Sequence, residues 1–458
     1  MSSAATTIHE TRPLPAAAGL GDTVPRYTSY PTAPHFHPGV DAMTVRGWMD
    51  ALEGDDEISL YLHIPYCDRL CWFCACHTKQ TRHYAPVAAF LRSLHKEIET
   101  VGGLASGRVR AVHFGGGSPT MLKPDDILML GKALRDRFDF LEDASLSVEI
   151  DPNDMDEGRL DAFAAIGMTR ASLGVQDFDP KVQRAINREQ SFALTRSVVD
   201  AVRARGVTSV NLDLLYGLPH QSCESVAATV AQALTLAPDR LALFGYAHVP
   251  WFKKHQTMID EAWLPDSAAR LAQSQLAARL IVDAGYDALG LDHFAKPRDA
   301  LAIAARSGKI RRNFQGYTED HCETLIGLGP SSISRFRQGY AQNIVATGEY
   351  EKVVNSGRLA IARGVEFSLD DLARSWLIER LMCSFTFSAT DLVERFGAVG
   401  QTLLCEASRL AIGGAGQLLR LDGENFVVPE ESRPLVRTVA AKFDKYLGNG
   451  TGRHSVAV

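Results

Sequence analysis

The apolar pattern divides the chain into stretches of different character. Residues 1–55 show little periodicity and are rich in Pro, Thr and His, so an extended segment is expected there, with one helix near Ala42–Leu52. After it, short apolar, β-favouring runs alternate with longer runs at helical spacing. Strands are expected at Ile58–Ile64, Val109–Phe114, Ser145–Ile150, Arg170–Val175, Ser209–Leu215 and Arg240–Tyr246. Helices are expected between them near Pro86–Val101, Pro124–Arg137, Glu157–Ile166, Phe192–Arg205 and Ser222–Leu236, with another over Asp266–Gly285. Ala193, Val198, Val199 and Val202 form the apolar stripe of one of them. Strands separated by helices make an α/β chain with a parallel sheet. Right-handed crossovers allow an open doubly wound sheet or a full or partial barrel. Both place ligands at the C-terminal ends of the strands.

Residues 286–365 are mixed and Gly-rich. Helical spacing returns over Leu369–Cys383, Ala389–Phe396 and Gln401–Ile412. Two short runs follow, Leu418–Leu421 and Asn425–Val428, and Asp422–Gly423 between them signals a hairpin. Helices closed by a hairpin look like a winged-helix module. The expected organisation is an N-terminal extended segment (1–55), a catalytic domain (56–365) and a mainly helical, winged-helix-like C-terminal domain (366–458).

Composition narrows the function classes. The 458 residues are 46% apolar, which excludes a disordered chain. A net charge of −6 argues against a protein that coats nucleic acid. The segment from Leu369 to Val428 is itself net acidic, the wrong sign for phosphate contacts, so a winged-helix DNA regulator is disfavoured. The longest apolar run, Leu241–Phe252, is broken by His248 and Pro250 and falls short of a membrane span. No basic n-region precedes Ala16–Leu20, so no signal peptide and a cytoplasmic location are expected.

Of the eight cysteines, Cys67, Cys71, Cys74 and Cys76 crowd into one short stretch after the first strand. The others, Cys223, Cys322, Cys383 and Cys405, stand alone and read as packing thiols. A disulfide framework would not crowd them so. The alternatives for the crowded set are buried free thiols, a zinc site or an iron–sulfur cluster. Zinc favours ligands in two separated pairs. Three thiolates in Cys67-x3-Cys71-x2-Cys74 suit a 4Fe–4S cluster with one iron left open.

With Phe73 before Cys74, this loop resembles the signature of radical S-adenosylmethionine (SAM) enzymes. Gly115-Gly116-Gly117-Ser118-Pro119-Thr120, after the second strand, resembles the glycine motif of that superfamily. Consecutive glycines allow close approach of the backbone to a ligand. Further stretches narrow the likeness: Pro25–Thr32, Tyr61–Cys67, Cys74-Ala75-Cys76, Gly174–Phe178, Asn187–Gln190, Asp213–Pro219, Tyr246–His248, Asp292–Ala295 and Asn313–Tyr317. Together they resemble the oxygen-independent coproporphyrinogen III oxidase family from about Pro25 to the C-terminus.

The resemblance implies the partial (βα)6-type barrel of radical SAM enzymes. It implies conversion of two propionates of coproporphyrinogen III to vinyl groups, giving protoporphyrinogen IX in haem biosynthesis. It also implies an unidentified low-potential electron donor and a monomeric enzyme. Cys67, Cys71 and Cys74 would hold the cluster, with SAM on the open iron and a second SAM beside it. Tyr61, Phe73, Gly116, Gly117, Ser118, Glu149, Gln176, Arg188, Asp213, Ala247, Gln315 and Ile333 match cofactor-binding positions; Cys76 and Tyr61 are the catalytic candidates. Arg188 could clamp a SAM carboxylate. A related haem-binding chaperone is the runner-up. Such relatives typically carry an apolar residue in place of Cys76 and lack the Pro25–Thr32 and Asn187–Gln190 stretches. Pro25–Pro34 is expected either to pack on the barrel as an arm or to close over the substrate as a strap.

Overall fold

The computed structural model describes residues 23–413 and 418–447, so the first 20 residues lie outside it. All six expected strands form: β1 (Glu57–Ile64), β2 (Arg108–Gly116), β3 (Asp139–Ile150), β4 (Arg170–Gln176), β5 (Ser209–Tyr216) and β6 (Arg240–Gly245). They lie side by side in chain order, each parallel to the next. This order decides between the two sheet types. A doubly wound sheet reverses its strand order at a switch point. Here the order never reverses, so right-handed crossovers put the connecting helices on one face and the sheet curls.

The curl does not close on itself. The free edge of β6 pairs with an antiparallel hairpin, β7 (Asp287–Leu289) and β8 (His293–Ala295). The free edge of β1 pairs with parallel β9 (Thr324–Leu328). Beyond it run β10 (Ile333–Phe336), β11 (Gly339–Asn343) and β12 (Ile361–Glu366), all antiparallel. The Gly-rich stretch thus extends the sheet.

Alternation along the strands explains the cavity inside the curl. In β4, Ala171, Leu173 and Val175 are buried, while Ser172, Gly174 and Gln176 are half-exposed. In β5, Val210, Leu212 and Leu214 are buried, while Asn211 and Asp213 are not. A sheet covered on both faces would instead show continuous apolar runs. The apolar outer face packs against the crossover helices, for example Phe114 edge-on to Phe163 at 6.3 Å.

A second core gathers Leu377, Leu381, Leu392, Leu403 and Phe426. The helices Leu369–Ser384 and Ala389–Ile412 supply most of it, and Gly397 (φ +55°, ψ −124°) breaks the latter into the two expected pieces. A small antiparallel sheet follows, of β13 (Thr386–Ser388), β14 (Arg420–Asp422) and β15 (Asn425–Val427). Asp422 pairs with Asn425, so the turn residues are Gly423, at φ +61°, and Glu424, one position later than expected. Val24, Tyr27 and Tyr30 belong to this second core, and the Tyr27 hydroxyl donates to Asp444 at 3.1 Å. The N-terminal arm is therefore anchored on the C-terminal helices. Among the described residues no helix is long and apolar enough to cross a membrane.

Candidate active site

The cysteine loop leaves the C-terminal end of β1. Cys67, Cys71 and Cys74 are free thiols, and Cys71 is buried. Remote segments hold the loop. The Trp72 amide donates to Ile186 O at 2.9 Å, and the Asn187 side chain donates to Leu70 O at 2.9 Å. His255 Nε2 lies 2.7 Å from Cys74 O; Lys253 donates to Cys76 O and Gln256 to Phe73 O, at 2.9 and 3.0 Å. Sequence reasoning missed this clamp: residues 251–256 carry no periodicity or motif, and they meet the loop only through folding.

Arg188 is buried beside the same loop. Its Nη1 lies 2.9 Å from Asp151 Oδ2 and 3.6 Å from Cys71 Sγ, and its Nη2 donates to Gly174 O at 2.8 Å. Its guanidinium thus braces a cysteine and the end of β4. Gln176, at φ +67°, places its amide alongside, against the face of Gly174.

The glycine motif extends from β2 across the loop. Gly117 N donates to Ile64 O at 2.7 Å, and Ser118 N to Tyr66 O at 2.8 Å. A Cβ on Gly117 would stand 2.5 Å from Tyr66 O, and one on Gly116, at φ +109°, would stand 2.6 Å from the His63 ring. These positions require glycine. The Ser118 hydroxyl is buried, donating to Asp154 Oδ2 at 2.7 Å, with Thr120 Oγ1 2.8 Å away.

Polar groups line the inside of the curl. Glu149 accepts from Gly116 N at 3.1 Å and lies 3.1 Å from His113 Nε2. Burial raises its pKa, but these bonds outweigh it and hold the carboxyl below its usual range. Asp213, bonded to Asn211 and Ser172, is pushed up to about 6 by burial. The Tyr61 ring stacks on His113, with centroids 5.8 Å apart, and burial, Glu149 and Cys76 raise its phenol well above the usual range. Tyr61 OH lies 3.0 Å from His63 Nδ1, while His63 Nε2 lies 2.8 Å from His77 O. Burial lowers His63 to about 4, so it is neutral, donating to His77 O and accepting from Tyr61.

Tyr61, Glu149, Gln315 and Ile333 meet in one cavity of about 220 Å3, whose wall includes Tyr27 and Tyr30 of the arm. Ala247 lies in the wall of a neighbouring cavity of about 540 Å3. Phe73 packs instead in a small apolar cluster with Val182, Ile186, Leu218, Tyr246 and Ile259. Cys76 is exposed, its amide donating to Cys74 Sγ at 3.3 Å. Of the scattered thiols, Cys383 is buried, whereas Cys405 is exposed and does not pack.

The donor set fits a cluster. Three soft thiols share one clamped loop, close enough for the charges of Cys71 and Cys74 to oppose ionisation of Cys67. Three thiolates offered by one short loop are the soft ligand set that an iron–sulfur group takes. The bare glycine strip and polar inner wall beside it leave room for a polar ligand.

Comparison with known proteins agrees. The Radical SAM superfamily model matches residues 61–233. Oxygen-independent coproporphyrinogen III oxidase of Paracoccus denitrificans is 47% identical over 446 residues, covering 96% of this chain and 98% of the relative. The protein of that name from Bradyrhizobium diazoefficiens is 47% identical over 439 residues, covering 95% and 98%. The solved coproporphyrinogen III oxidase of Escherichia coli, described as a radical SAM enzyme, matches with a TM-score of 0.88 at 37% identity, covering 92% of this chain and 98% of that one. This chain therefore belongs to the oxygen-independent coproporphyrinogen III oxidase family of the radical SAM superfamily.

Proposed function

We propose that the chain oxidises coproporphyrinogen III without oxygen, converting two propionates to vinyl groups and giving protoporphyrinogen IX. The observation that carries this reading is the packing of the glycine strip on the clamped cysteine loop beside a cavity walled by Tyr61, His63 and Glu149, with Tyr27–Tyr30 of the arm in the same wall. Radical SAM proteins use a 4Fe–4S cluster and SAM; here Cys67, Cys71 and Cys74 would hold the cluster.

The propionate β-carbon is unactivated, so no side-chain base can take its hydrogen as a proton. A cluster held by Cys67, Cys71 and Cys74, with SAM bound beside it, would supply one-electron chemistry able to take that hydrogen as an atom. For each side chain, –CH2–CH2–COO− would give –CH=CH2 and CO2, the hydrogen atom passing to the SAM-derived fragment and the remaining electron to a separate one-electron acceptor. The chain's own residues position and shield. Gly116 and Gly117 keep the backbone bare, Glu149 and Asp213 present carboxylates for amino or hydroxyl groups, and Tyr61 closes the inner wall. We assign Gln176, Arg188, Ala247, Gln315, Ile333, Phe73 and Ser118 to the same cofactor region, with Cys76 acting on the substrate side. We infer two SAM molecules per site, a separate low-potential electron donor, a monomer, a cytoplasmic location and the division 1–55, 56–365 and 366–458.

The haem-chaperone alternative lacks support here. Cys76 stands where such relatives carry an apolar residue, and Asn187 and Gln190 are built into the loop's bracing. The test is anaerobic reconstitution with iron and sulfide, followed by SAM, reductant and coproporphyrinogen III. Two CO2 per protoporphyrinogen IX is expected; retained haem without vinyl formation would overturn the reading.

A further inference from the structure

The cavity of about 540 Å3 has a size ordinary for a small-molecule site, and its charge sets it apart. It lies between the end of β6, the helix Ser267–Asp283, the N-terminal arm and the chain around Arg433–Arg437. Arg26, Arg270, Arg312, Arg433 and Arg437 line it, against the carboxylates Asp266 and Asp292. Asp266 is committed to capping its helix, accepting from Ala269 N at 2.8 Å. Asp292 lies 2.8 Å from His293 Nδ1.

Three of the arginines donate to backbone oxygens. Arg26 donates to Gly245 O at 3.0 Å, Arg270 to Tyr246 O at 2.8 Å and Arg437 to Pro25 O at 3.0 Å. Arg433 sits over the Phe385 ring at 5.0 Å. Arg312 is the telling member. Its side chain is 5% exposed, stacks on the Tyr317 ring at 4.4 Å and puts Nη2 3.5 Å from Arg26 O, yet among the described residues its Nε and Nη1 find no hydrogen-bond acceptor, Asp292 Oδ1 being 3.9 Å from Nη1. Buried donors of a charged group left unpaired are costly, and a guanidinium is built to meet carboxylates. Burial and the charges of Arg26 and Arg312 lower Arg437 to about 10, the signature of a crowded cationic wall. The rest of the lining includes Leu243, Phe244, Leu271 and Phe294, a floor for an apolar body.

We infer that this cavity receives the tetrapyrrole by its propionate carboxylates, with Arg312 as the central specificity-determining residue and Arg26 reaching in from the arm. The inference rests on the coproporphyrinogen reading and deepens it. Ala247, in the same wall, ties the cavity to the cofactor region. Selection then works by charge: a macrocycle without carboxylates leaves Arg312 Nε and Nη1 without an acceptor and is rejected.

The test uses the anaerobic holoenzyme with two probes, coproporphyrin III and its tetramethyl ester, followed by fluorescence, together with KM and kcat for coproporphyrinogen III. Wild type should bind the acid at least tenfold more tightly than the ester. Arg312→Met and Arg26→Gln should each weaken the acid tenfold or more and raise KM by more than they lower kcat, while Arg312→Lys recovers part of the loss. Should Arg312→Met lose its cluster absorption through misfolding, Arg26→Gln carries the test, because that side chain bonds only one backbone oxygen. Unchanged affinity and KM in a folded Arg26→Gln or Arg312→Met protein overturns the inference, as does equal wild-type affinity for acid and ester. Wild type that forms no vinyl group overturns the proposed function instead, which separates the two failures.

Discussion

Gly117→Ala probes the link between the glycine strip and the cysteine loop. The added methyl would meet Tyr66 O at 2.5 Å, Thr78 Oγ1 at 2.7 Å and Ile64 O at 2.9 Å. Two of the three are backbone atoms that cannot rotate away. Relief therefore requires opening Gly117 N to Ile64 O and Ser118 N to Tyr66 O, the two bonds that hold the strip against the loop. Overpacking costs about 1–3 kcal/mol and each of the two lost bonds about 1 kcal/mol, so a loss of about 3–5 kcal/mol is expected. The Thr78 hydroxyl lies 3.1 Å from Cys67 Sγ, so the disturbance reaches a proposed cluster ligand. A displacement near 1 Å at a reacting site costs about a hundredfold in rate. The assay is reductive SAM cleavage by reconstituted protein, normalised to cluster absorption, beside thermal melting. Gly54→Ala is the control, since nothing lies within 4 Å of its added methyl. Gly117→Ala should lose about a hundredfold in cleavage and melt several degrees lower, and Gly54→Ala should match wild type. Cleavage within threefold of wild type at an unchanged melting point would refute the argument.

Glu97 gives a pH signature: buried, it accepts from Gly329 N, Asn343 and Tyr350 at 2.6, 2.7 and 2.5 Å, and burial pushes its carboxyl from 4.5 to about 7. A raised folded value means that its contribution is complete below pH 4.5 and lost as pH rises through 7, about 3 kcal/mol in all. Urea midpoints should therefore fall for wild type relative to Glu97→Gln between those values, and parallel curves would count against it. Gln256→Ala removes donations to Phe73 O and Ala247 O, so the cluster should bleach severalfold faster under a chelator than in wild type; equal bleaching rates would clear Gln256 of any clamping role. Cys67→Ser should abolish the cluster absorption, whereas Cys76→Ser should keep it and lose vinyl formation; loss of the cluster on Cys76→Ser would make that thiol a ligand.

What could be read from the chain follows a length scale. Cluster ligation, the role proposed for Cys67, Cys71 and Cys74, needs thiols within a few ångströms, and a single loop provides them, so the three stand close in sequence. The glycine strip is equally local, because a backbone kept bare needs consecutive glycines. The six strands show as short runs because each buries one face on its helix. The choice between open sheet and partial barrel is different: it depends on strand order, which no single run contains. β7 and β8, three residues each, and β9 to β11, four or five, fall below the reach of periodicity.

Groups assembled from distant segments leave no local trace at all. Lys253, His255 and Gln256 grip the cysteine loop from nearly two hundred positions away, in a stretch without pattern. The cavity arginines come from positions 26, 270, 312, 433 and 437, and each alone is indistinguishable from a surface charge. That dispersal has a physical cause. A single iron–sulfur cube is small enough for one loop to hold, while a macrocycle with four carboxylates must be met from several sides at once. The arm shows the consequence: Val24 and Tyr27 bind it to the C-terminal core while Arg26 between them points to the cavity. Substrate recognition in this fold is thereby tied to the docking of the two ends of the chain, which is why deleting the arm outright would confound folding with binding and Arg26→Gln separates them.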